Sequence, residues 1–324
     1  MSDDLRDHLG RRITTLRVSV TDRCNLRCRY CVPHGGVPLV PRRSLLRFEE
    51  IASVVRAAAG QGVTRVKLTG GEPLTRRGID HLIEMLAGVD GIRDLSLTTN
   101  GTLLAGKAPR LRAAGLDRVT VSLDTLRPDR YRWITRGGDL AAVLAGLEAA
   151  ADAGLGRLKV NVVVLGGIND DEIGAFARLS VERPIEVRFI ELMRIGHRAE
   201  TEPDRFLPID AVRERLAPFG PLRPVARPAN GGPAVRFRLP GAAGAIGLIA
   251  PISEPFCGTC NRLRLTSQGV LRACLLEGGE VPIKGLLRPC VDVKGLQAAL
   301  QAAALAKPAV HSGGGAVLMS RVGG

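Results

Sequence analysis

Aromatic residues are scarce in this chain: one Trp, two Tyr and seven Phe, 3% of 324 residues. That is thin for the ring platforms on which proteins stack single-stranded nucleic acid. Long hydrophobic runs are missing too. None approaches the roughly 20 apolar residues that a membrane span needs. The N-terminal MSDDLRDHLGRR is polar and lacks the apolar segment of a secretory signal. A cytoplasmic protein with no membrane partner is the expectation. Acidic residues are in deficit, 32 against 46 Lys and Arg, for a formal net charge of +14. Nearly all the basic residues are Arg, which a general Arg bias would also produce. No dense basic run accompanies the excess. Charge spread in this way points to phosphates held in a cavity, with no nucleic-acid partner. Seven cysteines is an odd number for a disulfide framework. In a reducing compartment such thiols are metal ligands or stay free.

What is present is a core and a rhythm. Hydrophobic residues make up 45% of the chain, ample for a large core in one or two domains. Short β-branched runs at 15–20, 64–69, 94–99, 118–123, 158–165 and 185–192 read as strands. Segments 48–60, 78–88 and 139–154 have apolar residues at helical spacing. Strand–helix alternation implies a parallel sheet with crossover helices. Six units are too few for a complete eightfold barrel, so an open or partial barrel fits, as does a doubly wound sheet. Polar motifs follow the strands: a cysteine loop, TGGEP (69–73), TTNG (98–101), SLD (122–124) and RFIELM (188–193). Parallel α/β folds place active sites at that edge. The alternation ends near residue 195. The Pro- and Gly-rich stretch 223–234 reads as a linker or hairpin, and a loose boundary falls between 195 and 245.

Cys24, Cys28 and Cys31 are spaced C-x3-C-x2-C. A zinc site would need a fourth ligand, for which His34 is nearby. An iron–sulfur cubane on three thiolates leaves one iron open to a chelating molecule. Cys257, Cys260 and Cys274 repeat the arithmetic as C-x2-C-x13-C. Here a zinc ribbon could recruit Cys290, and a second cubane with an open iron is the other reading. If RLRLT is a strand, Arg262 and Arg264 share one face, where two guanidinium groups suit a phosphate or a purine edge.

The cysteine loop after the first strand, with Tyr30 before its last Cys, and TGGEP one strand–helix–strand step later resemble the radical S-adenosylmethionine superfamily. Within it, the chain resembles the GTP 3′,8-cyclases of molybdenum cofactor biosynthesis. The matching segments are GRRITTLRVSVTDRCNLRCRYC, KLTGGEPL, LTTNG, AGLDRVTVSLDTL, VRFIELM, PISEPFCGTCNRLRLTSQGVLRACL and MSRVGG. The resemblance implies an α/β fold: a partial (β/α)6 TIM-like barrel, residues 1–235, and a smaller C-terminal domain, residues 236–324, carrying a second iron–sulfur cluster. It implies two [4Fe–4S] clusters, the first on Cys24, Cys28 and Cys31, the second on Cys257, Cys260 and Cys274. S-adenosylmethionine would meet Tyr30, Gly71, Ser122 and Met193. GTP, the substrate, would meet Arg17, Lys67, Thr98, Lys159, Arg262, Leu263 and Arg264. A 5′-deoxyadenosyl radical would take H3′ from the ribose, the C3′ radical would attack C8 of guanine, and one-electron reduction through the second cluster, with a proton, would give 3′,8-cyclo-7,8-dihydro-GTP. The C-terminal Gly323 and Gly324 would reach into the active site and help set up the radical step. Further partners implied are an electron donor and, by product transfer, the downstream pyranopterin monophosphate synthase. A homodimer is allowed.

The chain departs from the family pattern in places. Lys67 stands where the family often has Arg, which keeps charge and loses a bidentate fork. The tail KPAVHSGGGAVLMSRVGG is unusually Gly-rich. Glu72 and Asn100 are expected to orient the adenosyl moiety or the loops. Asp22, Arg23 and Asp124 could equally form local ion pairs, Cys290 reads as a plain thiol, and His197 reads as loop. Two other functions compete. A radical peptide-modifying enzyme would carry more C-terminal cysteines. A zinc protein bound to nucleic acid would leave TGGEP and TTNG unexplained.

Overall fold

The structure, a computed structural model, describes residues 4–195, 205–226 and 232–315. Six strands in the first half are parallel neighbours in chain order: β1 (Thr15–Ser19), β2 (Arg65–Thr69), β3 (Asp94–Thr99), β4 (Arg118–Ser122), β5 (Lys159–Val164) and β6 (Glu186–Glu191). They fall within the six runs expected from the sequence. Alternate residues along each strand face opposite ways. Leu16, Val18, Val66, Leu68, Leu97, Val119, Val160 and Phe189 form the apolar face and are fully or almost fully buried. Arg17, Lys67, Ser96, Thr120, Asn161 and Arg188 lie on the other face.

Helices cover the apolar face: α1 (Phe48–Ala59), α2 (Ile79–Ala87), α3 (Ala108–Ala113), α4 (Pro128–Thr135), α5 (Leu140–Asp152) and α6 (Ile173–Glu182). Their limits follow local chemistry. The Glu50 carboxylate accepts from the Arg47 backbone N–H at 2.7 Å and so opens α1, whose Ile51, Val54, Val55 and Ala58 are buried. Asp139 caps α5 by accepting from Ala141 N at 3.0 Å.

The second half adds β7 (Arg194–Ile195), α7 (Ile209–Leu216), β8 (Arg223–Pro224), β9 (Val235–Arg238), β10 (Ala245–Ile249), β11 (Arg262–Leu265), β12 (Val270–Cys274), β13 (Gly278–Pro282), α8 (Val293–Leu305) and β14 (Gly314–Gly315). β10 joins β6 in parallel, with Leu248 opposite Phe189. β11 joins the far side of β1 in parallel, with Arg264 opposite Arg17. Eight parallel strands thus lie side by side, extended by antiparallel β12 and β13 at one end and β9 and β8 at the other. Laid flat, eight strands would span roughly 34 Å. Yet side chains from all eight line one cavity, so the sheet curls around it. Among the described residues no helix is long and apolar enough to cross a membrane.

Candidate active site

The cysteine loop is clamped on three sides. Gly71 N donates to Thr21 O and Glu72 N to Arg23 O, both at 2.7 Å. A Cβ on Gly71 would stand 2.2 Å from the Arg23 carbonyl oxygen, and Gly70 has φ +141°. The two glycines therefore let the end of β2 lie directly on the backbone that leads into Cys24. On a second side, Arg29 N donates to Ile134 O at 2.8 Å, and the Arg29 guanidinium lies 4.1 Å from the Trp133 ring centroid. On the third, the Tyr30 hydroxyl donates to Asp124, whose other oxygen accepts from Val163 N at 2.8 Å. Asp124 thus ties the loop to β4 and β5. Asp22 accepts from Val40 N at 2.7 Å and pairs with Arg23 at 3.4 Å.

Within the loop, Cys31 N and Val32 N both donate to Cys28 O at 2.9 Å, which turns Cys28 and Cys31 together. Leu26 N and Asn100 Nδ2 donate to Cys24 Sγ at 3.4 and 3.8 Å. Burial, with the charges of Glu72 and Cys31, pushes the Cys24 thiol up to about 11. Burial and the two neighbouring thiols push Cys28 well above the usual range. The three sulfurs are near enough to resist joint ionisation unless a positive core compensates. Among the described residues, no three His, Cys, Asp or Glu side chains form a group able to hold a metal ion. A cubane is a body several ångströms wide, so its thiolates stand around it rather than converge on a point. An all-sulfur set of three free thiols fits that group.

Glu72 is buried and accepts from Leu74 N (3.0 Å), the Thr99 hydroxyl (2.8 Å) and Asn100 N (2.7 Å). Burial raises its pKa to about 7 against those donors. It orients the loops after β2 and β3.

Inside the curled sheet is a cavity of about 220 Å³. Among the described residues nine Arg and Lys side chains line it: Arg17, Arg65, Lys67, Arg118, Lys159, Arg188, Arg262, Arg264 and Lys307. Among the described residues Asp94 is the one carboxylate on its wall. Asp94 is already engaged by Arg65 at 2.7 Å and by Arg118. Arg188 is bound by Glu186 at 2.6 Å. The remaining cations crowd one another. Burial and the Arg188 and Arg118 charges bring Lys159 down to about 7. Burial and Arg262 bring Arg264 to about 9. Burial and Arg17 hold Lys67 well below its ordinary value. A polyanion relieves all of these at once.

Cys257, Cys260 and Cys274 form one wall of the same cavity. Cys257–Thr259 is a single helical turn, with Cys260 N donating to Cys257 O at 3.0 Å. Burial opposes ionisation of Cys260, but Arg262, which donates to its sulfur at 3.5 Å, and Lys307 bring it to about 6. Cys290 is exposed and lies off this wall.

The expected site residues divide accordingly. Arg17, Lys67, Lys159, Arg262 and Arg264 line the cavity together with Met193. Tyr30, Gly71 and Ser122 sit where β1, β2 and β4 end, towards the first cysteine loop. Thr98 Oγ1 is buried with no hydrogen-bond partner on the inward face of β3. The Leu263 side chain packs into the core, so only its backbone is available to a ligand. Gly323, Gly324 and His197 lie outside the described residues. The segment leading to the tail places His311 on the cavity wall and pairs β14 with β7, beside Met193. Sequence reading missed Arg65, Arg118, Arg188, Asn161 and Lys307. Period-two alternation along the strands puts the first four on the face opposite the apolar one, without showing that this face closes around a cavity.

Residues 18–180 match the family model described as Radical SAM superfamily, and residues 185–313 match Molybdenum Cofactor Synthesis C. Streptococcus suis SuiB, solved bound to its precursor peptide SuiA, superposes with a TM-score of 0.60 at 14% identity, over 90% of this chain and 70% of that one. That likeness speaks for the fold alone. The class defined by fold and cysteine loop is therefore the radical S-adenosylmethionine enzymes. The GTP 3′,8-cyclase of Pelotomaculum thermopropionicum is 49% identical over 95% of both chains. That of Heliobacterium modesticaldum is 48% identical over 98% of this chain and 99% of its own. The chain belongs to the GTP 3′,8-cyclase family.

Proposed function

We propose that this protein cyclises GTP to 3′,8-cyclo-7,8-dihydro-GTP, the first step of molybdenum cofactor biosynthesis, and that the residues described above carry the reaction. The observation that supports it best is one cavity walled on one side by three cysteines and elsewhere by Arg and Lys side chains. Its cofactors are S-adenosylmethionine and two [4Fe–4S] clusters. Cys24, Cys28 and Cys31 would hold one cluster and Cys257, Cys260 and Cys274 the other. When bound, the first would supply an electron to S-adenosylmethionine for hydrogen abstraction, and the second would supply a redox centre beside the nucleotide.

The chain's own groups do the rest. Arg17, Lys67, Lys159 and Arg188 neutralise the triphosphate deep in the curled sheet. Arg262 and Arg264, on one face of β11, hold the nucleotide against the cysteine wall. Thr98 Oγ1 supplies a hydrogen bond that no protein group takes. Tyr30, Gly71, Ser122 and Met193 face S-adenosylmethionine at the strand ends. Enclosure keeps water from a reactive carbon radical and fixes C3′ near C8. Gly323 and Gly324 complete the site from the tail.

Residues 1–235 act as the radical-generating part and 236–324 as the auxiliary-cluster part of one sheet. An external electron donor, a cytoplasmic setting, delivery of product to pyranopterin monophosphate synthase and a homodimeric assembly belong to the same reading. The test is isotopic. GTP deuterated at C3′ should yield singly deuterated 5′-deoxyadenosine. Unlabelled 5′-deoxyadenosine alongside the cyclised product would remove C3′ as the site of abstraction.

A further inference from the structure

β11 and β12 are antiparallel, with Leu265 opposite Leu271 and Arg264 opposite Arg272. The register goes no further, although both strands continue towards the cysteines. At this opening stands Lys307, only 2% exposed. Its ammonium donates to Arg262 O on one strand and to Ala273 O on the other, each at 2.9 Å. Ala273 immediately precedes Cys274, and Arg262 lies two residues beyond Cys260. The same ammonium lines the cavity beside Cys257, Cys260 and Cys274. Its own backbone is fixed: Arg11 donates to Lys307 O at 3.4 Å and to Pro308 O and Cys257 O, both at 2.7 Å.

A buried cation spending two donors on carbonyls could be a simple stitch. Its position argues for more. Three thiolates outweigh the positive charge of a cubane core and leave the cluster anionic. A desolvated ammonium beside it acts in a low dielectric, where charges count for more than in water. Net charge and hydrogen bonding to the sulfurs are what set cluster potentials.

We propose that Lys307 is a positioning residue for the second cluster, which spreads Cys260 and Cys274 to the width of a cubane and raises its reduction potential with a fixed positive charge. The proposal rests on the assignment of Cys257, Cys260 and Cys274 as its ligands. Adding an electron to an already anionic cluster is easier beside a cation.

The test uses the full-length chain with Cys24, Cys28 and Cys31 changed to Ala, so that only the second cluster assembles. Lys307→Gln and Lys307→Arg are made in that background, reconstituted without oxygen and titrated with spin resonance as the readout. Lys307→Gln keeps donors and loses charge; it should shift the reduction equilibrium tenfold towards the oxidised form, about 59 mV lower for one electron. Lys307→Arg should stay near the parent. Loss of iron from Lys307→Gln but not from Lys307→Arg would carry the same meaning. An unchanged potential in Lys307→Gln overturns the proposal, as does equal loss of iron from both variants. A parent that holds no iron would instead sink the ligand assignment, and the proposal with it.

Discussion

Binding of GTP should draw protons into the protein. Lys159 on the cavity wall stands at about 7, because burial and the Arg188 and Arg118 charges disfavour its ammonium more than Glu186 and Asp94 favour it. At pH 8 a group of that pKa is about nine-tenths neutral. A bound triphosphate restores it towards the ordinary lysine value, near 10.4, where it is fully charged at pH 8. Lys159 alone then takes up about 0.9 proton per GTP. Lys67 and Arg264, also depressed, add to the total. The sign is definite. Below pH 7 Lys159 is charged before GTP arrives and affinity is at its full value. Between about pH 7 and 10 each unit of pH costs roughly tenfold in affinity through this residue. Calorimetric titration in buffers of different ionisation enthalpy at pH 8 measures the uptake directly. Lys159→Met should lower it by about 0.9. Zero uptake in the parent, or the same uptake in Lys159→Met, would refute the reading of these cations as a compressed phosphate site.

Three further outcomes follow from named contacts. Arg264→Ala should weaken GTP binding by about tenfold or more, as loss of a charge-assisted contact does, with the iron content of the first cluster unchanged; unaltered affinity by calorimetry would take Arg264 out of the site. Gly71→Ala should displace the backbone before Cys24 and reduce iron bound to the first cluster by more than half, since its Cβ meets the Arg23 carbonyl at 2.2 Å; full iron loading would show that the close approach is not needed. Removing Gly323 and Gly324 should lower turnover at least tenfold while leaving the melting temperature within a degree or two; equal turnover would return the tail to a passive terminus.

The sequence displayed the parallel half of the fold well because each strand carries its own signal. Thr15–Ser19 and Asp94–Thr99 alternate apolar and polar residues, and α1 shows a helical stripe ending at Gly60. It did not display the pairing of Ala245–Ile249 with β6 or of Arg262–Leu265 with β1. Those are contacts between distant segments, and the C-terminal part therefore read as a separate unit. In the structure it supplies two of the eight parallel strands of the same sheet, β10 and β11, and antiparallel strands that extend its ends. The cysteines were legible because rare residues at fixed spacing stand out. Arg65, Arg118 and Arg188 were not, for they sit in an Arg-rich chain where one more cation carries little information. Only the curl, which turns the polar face of every strand inward, shows that they share a cavity. The expected strand RLRLT proved sound: Arg262 and Arg264 both reach that wall.

If the cysteine loop generates a radical that GTP is placed to receive, cleavage of S-adenosylmethionine depends on both Cys24 and GTP. The direct measurement is 5′-deoxyadenosine formed by the reduced, iron- and sulfide-reconstituted protein with S-adenosylmethionine, with and without GTP, in the parent and in Cys24→Ala. GTP-dependent formation together with a new cyclised nucleotide is expected in the parent, and none in Cys24→Ala. Cleavage that persists in Cys24→Ala, or a parent that binds zinc and cleaves nothing, would contradict it.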